Sequence, residues 1–143
     1  MPNTKPLVIL EMANNHMGDV KHAKKIINEY FKITRAFSKD VEFAFKFQFR
    51  HLETYLHEDF INVNHKQVDR FTDTKLKDSE WKEILFLAKK KFKIICTAFD
   101  EKSVNKIVKS NFDYLKIASC SMNEWPLLEH ISKIAKKKKK FVL

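Results

Sequence analysis

The sequence predicts an α/β fold of the (β/α)8 barrel type, present as roughly the first four strand-helix units plus the start of a fifth strand. Three observations predict it. Apolar runs of strand length alternate along the chain with segments of helical periodicity. Strands separated by helices pair in parallel, with the helices covering the sheet. Polar residues collect where the strands run into loops, the edge at which such folds carry their chemistry.

The first strand reads as a buried one. Leu7-Val-Ile-Leu10 ends in the carboxylate of Glu11 and passes through Asn14, Asn15 and His16 to Gly18, the one glycine in the chain. Asp19 is the expected N-cap of the helix that follows, with Ala23, Ile26, Ile27, Tyr30 and Phe31 at helical spacing. Glu42 to Phe49 then alternates strictly, with Phe43, Phe45, Phe47 and Phe49 on one face and Glu42, Ala44, Lys46 and Gln48 on the other. An isolated strand of this kind would turn its polar side to water. Among alternating strands and helices the Phe face meets the helices, and Lys46 and Gln48 face the interior, where an ammonium group needs an anion.

From Arg50 to Lys77 the periodicity lapses, which predicts a functional loop or an excursion with short helices of its own, serving as a lid or a subunit contact. Its histidines, His51, His57 and His65, stand six and eight residues apart and fit no compact metal motif. Asp78 or Ser79 is the expected cap of the next helix, whose buried stripe is Trp81, Ile84, Leu85 and Ala88. Ile94 to Thr97 is a short strand ending in a hydroxyl. Asp100 then caps a helix carrying Val104, Ile107 and Val108, and Asn111 suits a left-handed stop. Tyr114 to Ala118 is the fourth strand, with Leu115 and Ile117 opposite Lys116 and Ala118, and it opens into Ser119, Cys120 and Ser121. The last helix starts between Asn123 and Pro126 and buries Leu127, Leu128, Ile131, Ile134 and Ala135. Phe141 to Leu143 begins the fifth strand.

With 143 residues, 44% of them hydrophobic and thirteen of them Phe, the chain has material for one ordinary core. It has no 18-residue apolar stretch and no secretory leader pattern, so a cytoplasmic protein without membrane contact is expected. Cys96 and Cys120 lack CxxC spacing and are expected to be free thiols. The formal charge of +10 invites a nucleic-acid reading, but five of the lysines form the run Lys136 to Lys140. A run of that kind reads as a solvated helix end rather than a nucleic-acid arm, and no nucleic-acid motif accompanies it. With one glycine, phosphate-cradling glycine loops are excluded.

Glu11, Lys46 with Gln48, Thr97, and Lys116 with Ser119 stand at the ends of four successive strands. Such a set can hold a small, multiply charged anion while leaving an acid or base for chemistry. The motifs Glu11-Met-Ala-Asn-Asn-His-Met-Gly18, Lys46-Phe-Gln48, Cys96-Thr-Ala-Phe-Asp100 and Lys116-Ile-Ala-Ser119, followed by Trp125-Pro-Leu-Leu128, appear in an order that resembles the N-acetylneuraminate (sialic acid) synthase family.

The resemblance implies a transferase for sialic-acid-type sugar-acid and surface-carbohydrate biosynthesis, residues 1–143 being the N-terminal half of its barrel. On that reading the C-terminal half and the family's antifreeze-like domain are expected to be absent from residues 1–143. It implies catalytic roles for Glu11, Lys46 and Lys116, and a phosphoenolpyruvate pocket lined by Lys46, Gln48, Thr97, Lys116 and Ser119. Asn15, His16 and Ser121 would lie on the side of an N-acetylamino-sugar acceptor. In the family reaction the enol carbon attacks the open-chain sugar aldehyde, water attacks the resulting oxocarbenium carbon, and phosphate leaves by C–O cleavage. A divalent metal, typically manganese, polarises the aldehyde. The family's metal histidines come from later strands, so this chain supplies no metal ligand. Where well-known members have Gly-Glu, this chain has Cys120-Ser121, which leaves its acceptor side without that carboxylate. A half pocket is expected to be inactive or incomplete by itself and to work as a homo-oligomer or with a complementing chain. The alternative is a non-catalytic half-barrel that binds a partner through its open sheet edges.

Overall fold

In the computed structural model, which describes residues 5–60, 63, 65–138 and 141–142, five strands form one parallel sheet in sequential order. The strands are β1 (Leu7–Glu11), β2 (Glu42–Phe49), β3 (Lys93–Ala98), β4 (Tyr114–Ile117) and β5 (Phe141–Val142). The helices are α1 (Val20–Thr34), α2 (Leu52–Tyr55), α3 (Lys66–Asp73), α4 (Asp78–Lys89), α5 (Glu101–Lys109) and α6 (Trp125–Lys138). This is the expected α/β order with a parallel sheet. Of the expected lysine run, 139–140 lie outside the described residues, as does Leu143 of the last strand. Lys136 and Lys137 are exposed near the end of α6, as a solvated helix end requires.

The core lies between the sheet and its helices. Phe45 and Phe47 are fully buried and Phe49 nearly so. Phe45 packs on Phe92 at 5.4 Å between ring centroids and on Tyr30 of α1 at 5.6 Å, while Phe49 meets Trp81 of α4 at 4.9 Å and Phe112 at 5.6 Å. Most of these rings meet edge to face, the arrangement their quadrupoles favour. Trp81, Ile84, Leu85 and Ala88 are all buried, as the helical spacing demands.

Helix ends follow local chemistry. The Asp19 carboxylate accepts from the Lys21 N–H at 2.7 Å, and Asp100 accepts from the Ser103 N–H at 2.7 Å. Asn111 adopts the left-handed conformation that ends α5. α4 departs from expectation, because its N-cap is Lys77 rather than Asp78 or Ser79. A lysine cannot accept at a cap; the Glu80 carboxylate reaches back to the Lys77 N–H at 2.6 Å, and Asp78 instead pairs with Lys106 at 2.6 Å.

β1 also departs from expectation. It is an edge strand, and Val8 and Ile9 are 41% and 43% exposed, because β2 alone covers it among the described strands. Cys96 is buried inside β3, Cys120 is exposed, and both are free thiols, as expected. The stretch after Arg50 carries the short helices α2 and α3. Among the described residues no helix is long and apolar enough to cross a membrane.

Candidate active site at the strand ends

Parallel register carries the strand-end residues into rows. Glu11 pairs with Lys46, and one layer further along the strands Gln48 pairs with Thr97, which pairs with Lys116. Period-two alternation puts these on the face away from the Phe side chains. The five residues Glu11, Lys46, Gln48, Thr97 and Lys116 are thus brought together by backbone geometry.

Their partners differ. The Lys46 ammonium, whose side chain is only 14% exposed, forms an ion pair with the Glu11 carboxylate. The other Glu11 oxygen accepts from the Ala13 N–H at 3.1 Å. Lys116 donates to the Ile117 carbonyl at 2.9 Å. The Thr97 hydroxyl is buried, the residue being 3% exposed, and has no hydrogen-bond partner. Leaving a hydroxyl so costs about 1–3 kcal/mol, and such an atom marks a place that a ligand can complete. Ser119 is exposed at the first position of a 3-10 turn, Ser119–Ser121, directly after β4.

The loop after β1 is tightly wound. Ala13, Met17 and Gly18 have positive φ, and the first two are side-chain-bearing residues in a strained conformation. A Cβ on Gly18 would stand 2.8 Å from the Asp73 carbonyl oxygen, so glycine is what lets this loop touch the end of α3. His16 is 2% exposed; its Nδ1 accepts from the Gly18 N–H at 3.1 Å and its ring meets Trp81 edge-on at 5.4 Å. Burial, with His22 nearby, holds its pKa below the usual 6.5.

The residues expected on the acceptor side lie outside this row. Asn15 is exposed, and the neighbouring Asn14 turns inward instead. Ser121 is 1% exposed and donates to the Glu124 carboxylate at 3.3 Å, so its hydroxyl serves the turn. Among the described residues no three His, Cys, Asp or Glu side chains gather where they could hold a metal.

One residue escaped the sequence reading. Arg50 donates to the Gln48 amide oxygen at 2.8 Å and to the Asn14 amide oxygen at 3.5 Å, with Phe71 and Phe99 on its guanidinium. Its signal was available, since Lys46, Gln48 and Arg50 continue one period of two. Beside it a cavity of about 310 Å³ opens, reached by Asn14, His16, Gln48 and Arg50 and bounded by Trp81 and Lys106.

Known proteins share this framework. The chain is 32% identical over 130 residues to an uncharacterized protein, MJ1065, of Methanocaldococcus jannaschii, an alignment covering 90% of this chain and 35% of the relative. A crystal structure assigned to spore coat polysaccharide biosynthesis protein E, from Chromobacterium violaceum, matches with TM-score 0.84 and 43% identity over 90% of this chain and 38% of that one. The N-acetylneuraminic acid (sialic acid) synthetase of Leptospira borgpetersenii serovar Hardjo-bovis, solved with citrate, matches in fold with TM-score 0.68 and 23% identity, covering 92% and 42%. The chain therefore spans well under half the length of these relatives. The NeuB family model matches residues 32–143, which take in β2 to β5 and the strand-end residues Lys46, Gln48, Thr97, Lys116 and Ser119, while β1 with Glu11 lies before the matched range. By that match this chain is a member of the NeuB family.

Proposed function

We propose that this chain carries the phosphoenolpyruvate half of a synthase site that condenses phosphoenolpyruvate with an N-acetylamino sugar in sugar-acid or surface-carbohydrate biosynthesis. The observation that carries the reading is the row Gln48, Thr97 and Lys116, with its unpartnered buried hydroxyl, set beside the Glu11–Lys46 pair. An oxygen-rich anion satisfies Thr97 and draws the two ammonium groups, each now occupied by a protein oxygen. NeuB-family membership and the names of the similar structures, one from polysaccharide biosynthesis and one a sialic acid synthetase, support the reaction class.

In the proposed chemistry Lys46 and Lys116 balance the charge of phosphoenolpyruvate, and Gln48, Thr97 and Ser119 orient its oxygens. The enol carbon of phosphoenolpyruvate bonds to the aldehyde carbon of the sugar, whose oxygen takes up a proton. Water adds to the resulting oxocarbenium carbon, and the C–O bond to phosphate breaks to leave a 2-keto acid. As the anion takes Lys46, the Glu11 carboxylate is released from its ion pair and becomes available as the acid or base. The side chains described here offer no group suited to a divalent metal such as manganese, so no step is assigned to one.

The five parallel strands form one arc of a (β/α)8 barrel in this reading, and residues from a second copy or a complementing chain complete the site. Calorimetric titration of phosphoenolpyruvate into the chain and into Lys46→Ala, with circular dichroism on both, tests the proposal. Binding by the parent, weakened about tenfold or more in the variant, is expected from loss of a charged hydrogen bond. A folded parent that does not bind would overturn it. The exposed edge of β1 favours a second reading, a half-barrel that only binds a partner chain. A mass that rises with concentration, without phosphoenolpyruvate binding, would select it.

A further inference from the structure

Arg50 is a cation taken partly out of water without an anion to pair with. None of the ion pairs among the described residues includes it. Its guanidinium carbon lies 4.2 Å from the ring centroid of Phe71 in α3 and 4.2 Å from that of Phe99, just beyond β3. Cation–π attraction to the two rings offsets part of the desolvation and helps to hold the group in place. Burial lowers its pKa from the ordinary guanidinium value, and the nearby Tyr55 phenol opposes that shift. Its Nε–H is buried with no hydrogen-bond partner, so rings and amides hold the side chain in place of an ion-pair partner.

The amide contacts have a chemical consequence. A guanidinium only donates, so the atom that Gln48 turns to Arg50 at 2.8 Å is its oxygen. That removes the usual ambiguity between amide oxygen and nitrogen. The Gln48 NH2 group therefore faces away from Arg50, and it makes no hydrogen bond among the described residues. Asn14 is turned the same way, its oxygen 3.5 Å from the other terminal nitrogen of Arg50.

We propose that Arg50 is a positioning residue for phosphoenolpyruvate binding, locking the Gln48 amide so that its NH2, beside Thr97 and Lys116, is presented to the oxygens of the anion. This rests on the reading of that row as the phosphoenolpyruvate site. Lysine cannot replace Arg50, because a compact ammonium lacks the planar fork that reaches the two amide oxygens while meeting both rings.

The test is a calorimetric cycle with phosphoenolpyruvate on the full chain, Arg50→Lys, Gln48→Leu and the double variant, each checked for folding by circular dichroism. Arg50→Lys and Gln48→Leu are each expected to weaken binding about tenfold, and the double variant no more than Gln48→Leu. In a ¹⁵N-labelled chain without ligand, the Gln48 side-chain NH2 resonances move in Arg50→Lys. Gln48→Glu keeps an oxygen for Arg50 but loses the NH2 and adds a negative charge, so it weakens binding; should Arg50→Lys fail to fold, Arg50→Met, which keeps an apolar stem against the rings and drops the fork, decides the matter by the same two readouts. Full affinity in Arg50→Lys or Gln48→Glu, or losses that multiply in the double variant, would overturn this inference and leave the proposed function standing. No binding by the folded parent would overturn both.

Discussion

Phe45, Phe47 and Phe49 on one face of β2, and Lys46 and Gln48 on the other, alternate along eight residues of a single strand. On the Phe side each of these three rings meets others, and Phe47 alone meets Phe45, Trp81 and Phe112 at 5.4 to 6.2 Å. On the other side the groups are only partly matched. Lys46 has one carboxylate, Gln48 has one guanidinium for its oxygen and nothing for its nitrogen, and Thr97 next to it has no partner. The difference teaches where stability and chemistry reside. The packed face can hold the fold without help from the polar one, which leaves the polar face free to carry unsatisfied groups that a ligand can use.

The largest effect that would sharpen this comparison is at Phe47. Phe47→Ala is expected to lower unfolding free energy by about 3–5 kcal/mol, because it removes a fully buried ring from a close-packed cluster. Urea denaturation measures it, and a loss under 1 kcal/mol would break the assignment of stability to this face. Thr97→Val probes the other face with nearly the same volume. It removes a buried hydroxyl that has no partner, so stability should stay level or rise by about 1 kcal/mol, while phosphoenolpyruvate affinity falls about tenfold. A clear loss of stability would mean that the hydroxyl is already satisfied.

A smaller effect is expected from pH through His16. Its folded pKa lies below its unfolded value, so protonation favours the unfolded chain. Its contribution is full above about pH 6.5, the unfolded value, and is lost as pH falls below that. The denaturation midpoint should drop between pH 8 and pH 5, and His16→Gln should flatten that part of the profile. The smallest effect is at Asp78, whose carboxyl is held below its usual value by the hydrogen bond and charge of Lys106. The contribution is present above the unfolded pKa near 4 and disappears as pH falls through the lower folded value. Because the Asp78 side chain is 81% exposed, Asp78→Asn should cost no more than about 1 kcal/mol in low salt and less in high salt.

Much of this molecule was legible in residue order. The alternation from Glu42 to Phe49 determined which face of β2 would carry the buried Phe45, Phe47 and Phe49, and the caps at Asp19 and Asp100 and the stop at Asn111 were written in local chemistry. The strand-end set Glu11, Lys46, Gln48, Thr97, Lys116 was visible as well, since each is a polar residue in the carboxyl-terminal half of an apolar or alternating run. What residue order could not carry was neighbourhood between segments. The cap of α4 was misplaced because Asp78 is drawn off by Lys106, which lies 28 residues further on and meets it only after folding. β1 was read as buried from its composition, but exposure is set by how many strands flank it, which is a property of the sheet. The position of Arg50 on the polar face was legible in the alternation, but its contacts with Phe71 and Phe99 were not, because the fold alone brings those distant residues to it. Sequence by itself determined the elements and the chemical faces they present, because alternation and capping are local. Tertiary structure decided which polar groups neutralise one another and which are left for a ligand, because that depends on register and packing between segments far apart in the chain.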